Sequence, residues 1–172
     1  MRATFELHAE QGIVATTMKQ IAERAGVSVG SVYNHFPSYD QAIAACGAYA
    51  FSLGPEPSPA LFEGVNDIAE RVRRLAHAVF AQFERLRAFG YVTAEQDRLP
   101  VLKAFVDQER AARLALAAAA LGEPETGEGA RTLAALLDHG VYQALKDIGL
   151  GTRAAAARAA EVANAWLASR EP

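Results

Sequence analysis

Ile21-Ala-Glu-Arg-Ala-Gly-Val-Ser-Val-Gly-Ser-Val-Tyr-Asn-His-Phe-Pro-Ser38 is the stretch on which the fold turns. Just before it, Thr17-Met-Lys-Gln20 has the Thr-x-x-Gln form of a capping box and opens a helix through Ile21 and Ala22 to Ala25. Gly26 permits a turn, Ser28 caps a further short helix through Val32 to about His35, and Pro37 breaks it. Ile21, Val27, Val32 and Phe36 are the apolar positions expected to lock the two helices at a fixed angle, with Ala22 and Ala25 small where they meet. Val29, Gly30, Ser31, Tyr33, Asn34 and His35 are left as an outward face of short polar and aromatic groups. Such groups can donate to phosphates or touch base edges, which is the layout a helix-turn-helix requires.

Outward from this core, residues 3–11 read as a helix stopped at Gly12, and Ser38-Tyr-Asp-Gln41 is a second capping box opening a helix with Ile43, Cys46 and Ala50. Gly54-Pro-Glu-Pro-Ser-Pro59 places three prolines in five residues and cannot continue a helix, so the expected domains are residues 1–53 and 60–172. Beyond it Val65, Ile68, Val72, Leu75, Val79, Phe83 and Leu86 recur at spacings of three and four, an apolar stripe along one long helix. Further helices are expected at about 99–121, 130–148 and 153–169, with an acidic loop at 122–129. The 38 alanines favour helix and close packing, and no run has the alternation of a strand. The fold class is all-α: a three-helix helix-turn-helix module followed by a helical bundle.

Composition excludes several functions. The formal charge of −3 gives no overall basic field, so any nucleic-acid binding must be local. No apolar run is long enough for a membrane span, and no signal-peptide core follows Met1, so a cytoplasmic location without membrane contact is expected. Cys46 is the only cysteine, which excludes an internal disulfide and favours a small buried apolar role. His77 and His139 lack carboxylates at ligand spacing, so no metal and no cofactor is expected. Neither a Gly-rich phosphate loop nor a nucleophile elbow is present, so the chain reads as a non-enzyme.

The Ile21–Ser38 string closely resembles the signature of the TetR family of bacterial transcriptional regulators, over about residues 5–53. The resemblance implies that Thr17 and Lys19 contact the DNA backbone or a base edge, that Val29, Gly30, Ser31 and Asn34 face bases, and that Tyr33 and His35 clamp phosphates. Ser28, at the start of the reading helix, and Tyr39 complete the candidate contacts. Family members often carry Lys or Arg at the position of Val29 and Lys at that of Tyr39, and residues 1–51 hold three cations against four carboxylates, a net of −1. The first helix is about a turn short and lacks a basic arm, which a start upstream of Met1 would supply. Weak non-specific DNA affinity is therefore expected.

The resemblance further implies a homodimeric repressor on a palindromic double-stranded operator, released when a small effector enters the middle helices. Ala134, Leu137, Val141 and Leu145 form one stripe and Ala155, Ala159, Val162 and Trp166 another, so dimerisation through about residues 130–169 is expected. An apolar or aromatic effector would be lined by Phe80, Phe83, Phe105, Val106 and Tyr142, with His77 or His139 as polar anchor. The alternative from another class is a helical ligand-binding or partner-binding dimer whose DNA module no longer works.

Overall fold

The computed structural model describes residues 1–170. Every regular element among them is helical, as the composition anticipates: α1 (Arg2–Gln11), α2 (Met18–Ala25), α3 (Val29–His35), α4 (Tyr39–Ser52), a 3₁₀ turn (Pro59–Phe62), α5 (Ile68–Arg85), α6 (Phe89–Glu95), α7 (Pro100–Leu121), α8 (Glu128–Leu136), α9 (His139–Asp147) and α10 (Thr152–Ala168). No helix among the described residues is long and apolar enough to cross a membrane.

The chain divides into two compact units, one of Met1–Pro55 with Arg85–Asp107 and one of Glu56–Glu84 with the chain from Gln108 onward. In the first, Leu7, Met18, Ile21, Ala22, Val32 and Ala42 form a buried cluster with Phe36 and Tyr39 against it. A second cluster joins Ile13, Ile43 and Leu102 to Tyr39, Val92, Leu99 and Val101. The second unit is built on α5, which buries Val72, Leu75, Val79 and Phe83 of the expected stripe together with Ala76 and Phe80, while Ile68, in its first turn, is exposed. Leu133 and Leu137 are fully buried, and α10 inserts Ala155, Ala156, Ala159, Ala160 and Ala163, side chains small enough to let helix backbones approach closely.

Three local expectations are corrected. The single helix expected over 130–148 is two, because Asp138 caps α9 by accepting the Gly140 N–H at 2.8 Å while the buried Arg113 holds its other oxygen at 2.9 Å. Leu137, at that break, is buried inside one protomer rather than free for a partner. In the helix-turn-helix, Val27 is 48% exposed and Ala25 is exposed too, so neither locks the helices. Gly26 adopts a left-handed φ of 69°, and the Val27 N–H turns back to the Ala22 carbonyl, leaving the valine side chain outside the seam that Ile21, Ala22 and Val32 fill.

Candidate nucleic-acid interface

Local chemistry fixes α2 and α3 as a pair. Thr17 Oγ1 accepts the Gln20 N–H at 3.2 Å, and Gln20 Oε1 accepts the Thr17 N–H at 2.8 Å, so both halves of the capping box are formed. Ser28 Oγ then accepts the Ser31 N–H at 3.1 Å and starts α3. Val32 is the buried anchor of α3, and Phe36 closes its end half-buried.

With 3.6 residues per turn, anchoring through Val32 and Phe36 sends Asn34 and Gly30 outward, with Val29 and Tyr33 on one flank and Ser31 and His35 on the other. All six are exposed, Tyr33 to 48% and Val29 to 38%. Thr17, Lys19 and Ser28 are exposed as well. The Ser31 hydroxyl lies 2.9 Å from that of Ser28, so the two share a hydrogen within the protein.

Tyr39 stands apart from the other candidates. Its hydroxyl donates to the Ile13 carbonyl, and His8 Nε2 lies 3.0 Å from the same oxygen. Since the phenol has one proton and gives it to Ile13, His8 must donate through its Nε2–H. Burial pushes the Tyr39 hydroxyl above its ordinary range and the His8 imidazole down to about 4.

The cations of residues 1–51 are also engaged. Arg24 binds Glu10 at 2.7 Å, Arg2 meets Glu6 at 3.6 Å, and Lys19 meets Glu23 at 3.7 Å. Hydrogen bonding to Arg24 holds the Glu10 carboxyl below its usual range. These pairs are exposed and add little to stability, but each offers a phosphate a cation already shared with a carboxylate.

One residue without a sequence signal supports this module. Glu95, the last residue of α6, accepts the Ile13 and Val14 N–H groups through Oε2, both at 2.9 Å, and so holds the turn between α1 and α2. Gly12 makes the approach possible: its φ is +91°, and a Cβ there would come within 2.8 Å of Glu95 Oε1 and 3.0 Å of Tyr91.

The residues expected to line an effector site divide between the units. Phe105 lies in the first, its ring 5.3 Å from that of Phe51, and the neighbouring Val106 is buried there. In the second, Phe80, Phe83, His139 and Tyr142 come together, with ring centroids 5.2 Å apart for Phe80–Tyr142 and Phe83–His139. His77 lies apart from them in a shallow cleft with Leu61, Glu70, Arg73 and Arg74.

Two polar groups adjoin the aromatic cluster that the sequence reading passed over. Glu84 accepts from Tyr142 and Thr152 and meets Lys146 at 3.3 Å; the two hydroxyls above all, with Lys146, hold its carboxyl down to about 2. Arg113, 6% exposed, donates to the Leu137 carbonyl at 3.2 Å and binds Asp138. Burial raises the nearby Glu109 carboxyl, whereas Asp138, which burial alone would raise, is held below its usual range by the Gly140 N–H and Arg113.

A capped helix, a left-handed glycine turn and a second capped helix with an exposed polar face define a helix-turn-helix DNA-binding module. Residues 1–46 match the family model described as bacterial regulatory proteins, tetR family, so this module is similar to the one that family shares. The crystal structure of a TetR transcriptional regulator from Rhodococcus sp. RHA1 has a similar fold, with a TM-score of 0.55 and 20% identity over 99% of this chain and 94% of that one. No curated protein sequence matches.

Proposed function

We propose that the protein is a transcriptional repressor that binds a palindromic operator as a homodimer and leaves it when a small apolar or aromatic molecule binds. The observation that carries this reading is the exposed face of α3, held at a fixed angle by the capped α2 and the Val32 anchor. The test is a gel-shift and footprinting experiment with the region upstream of its gene, near physiological salt. The expected result is a protected palindrome whose half-sites are about 34 Å apart. An unbound upstream region would favour the second reading, a ligand-binding or partner-binding dimer with an inactive DNA module, which the carboxylate-paired Arg24 and Lys19 support.

The dimer is proposed to form through α9 and α10. Val141 and Leu145 are half-buried within the protomer while Ile148 and Val162 are 73% and 49% exposed, an apolar surface that a symmetry mate would cover. The effector is proposed to act on the second unit at Phe80, Phe83, His139 and Tyr142. Phe83→Trp tests that assignment: the ring is 2% exposed, so the larger side chain should destabilise by about 1–3 kcal/mol and blunt effector-driven release. An unchanged response would move the effector site elsewhere.

A further inference from the structure

Helix α3 contains no lysine, arginine, aspartate or glutamate. The commonest contact to guanine in the major groove is a bidentate Arg or Lys on O6 and N7, and this helix cannot make it. Its exposed groups offer other matches. The Asn34 amide has the donor and acceptor that suit adenine N6 and N7, and the Val29 methyl groups suit the C5-methyl of thymine.

Gly30 adds an independent observation. It lies one turn before Asn34 on the outward face, in ordinary helical backbone, and a Cβ built there would meet only Ser28 Oγ at 3.8 Å. Neither the dihedral angles nor the packing of the protein needs a glycine at this position, unlike Gly12. Glycine within a helix is less stable than alanine, so the fold alone would favour a side chain here. Its absence leaves room for an outside surface to come close to the backbone.

We propose that α3 reads its half-site through uncharged groups, Gly30 and Asn34 on its outward face and Val29 on the adjoining flank, seated so close to the bases that position 30 has no room for a Cβ. The pairs it selects are A·T, adenine through Asn34 and thymine through its methyl group against Val29. This rests on the DNA-binding reading of the module and adds which base pairs it takes.

The test begins with selection of duplexes from a random library by the full-length protein, followed by affinities at one salt concentration. A·T pairs should dominate the centre of each half-site. Deoxyuridine in place of one thymine per half-site, which removes only the methyl group, should weaken binding about 3- to 5-fold per half-site, and Val29→Ala should abolish that difference. Gly30→Ala should raise the melting temperature by about 1–4 °C while weakening every selected duplex about 5-fold or more. Unaltered affinity of Gly30→Ala, or G·C-rich half-sites indifferent to deoxyuridine, would overturn the proposal and leave the DNA-binding reading standing. Failure to enrich any duplex would overturn both.

Discussion

Glu95 accepts the backbone N–H of Ile13 at 2.9 Å across 82 residues of sequence. The same oxygen takes the Val14 N–H, so one carboxylate satisfies two donors in the turn that leads into α2. Glu95→Ala leaves both to be satisfied by water or not at all and should destabilise by about 1–3 kcal/mol. Glu95→Gln keeps the acceptor without the charge and should lose less. Thermal melts of the two variants check the order, and equal losses would mean that the charge rather than the acceptor holds the turn.

The second expectation concerns the proposed dimer. Leu137 is fully buried in its own protomer, so Leu137→Ala should cost about 2–5 kcal/mol of folding stability without selectively dissociating subunits. Ile148→Glu with Val162→Glu changes two exposed positions and should leave the protomer folded but monomeric. Sedimentation with circular dichroism separates these results; a folded double variant that stays dimeric would place the seam elsewhere.

Acid sensitivity should arise in part from His8. Burial holds its imidazole down to about 4, so as the pH falls below the ordinary 6.5 the unfolded chain takes up a proton that the folded chain refuses. Its effect on stability is nil above about 6.5, grows more unfavourable toward 4, and levels off below, reaching about 3 kcal/mol. His139, also lowered by burial, acts with the same sign. His8→Gln should flatten the decline of melting temperature between pH 6.5 and 4; an unchanged decline would assign it to other groups.

Salt should weaken the proposed operator binding only modestly. Arg2, Lys19 and Arg24 are each shared with a carboxylate, which leaves few cations to displace counterions from DNA. At roughly −0.9 per phosphate neutralised, the slope of log affinity against log salt should be about −3 to −5 for a dimer. Fluorescence anisotropy over a range of salt concentrations measures it. A slope near −10 would show that cations outside residues 1–51 also meet DNA.

Most helices were legible because their signals are local. Thr17, Ser28 and Ser38 cap as their spacing suggests, and the α5 stripe is buried from Val72 to Phe83, although Ile68 at its start is 46% exposed. The break at Asp138 was hidden because Leu133, Leu137, Val141 and Leu145 keep an unbroken helical period, while the carboxylate's second partner, Arg113, is on another helix. Hydrophobicity misplaced Val27, since the turn at Gly26 decides its direction. On the reading face, exposure of α3 could be inferred from the two apolar anchors, but the internal use of the Tyr39 hydroxyl could not. Glu95 was invisible for a simpler reason: its partners are main-chain amides, which leave no mark in a sequence.

The unit containing the reading helix is assembled from two stretches of chain, Met1–Pro55 and Arg85–Asp107, and this imposes an order on its birth. A ribosome delivers α1 to α4 first, when the Ile13 and Val14 amides still lack their carboxylate and the Ile13–Ile43 cluster still lacks Leu102. At translation rates of about 5–20 residues per second, Glu95 follows Pro55 by roughly 2–8 s. During that interval the nascent module is an unfinished helix-turn-helix, its first turn still without the carboxylate that holds it, and it is completed only after the whole of the other unit's leading helix, α5, has been made.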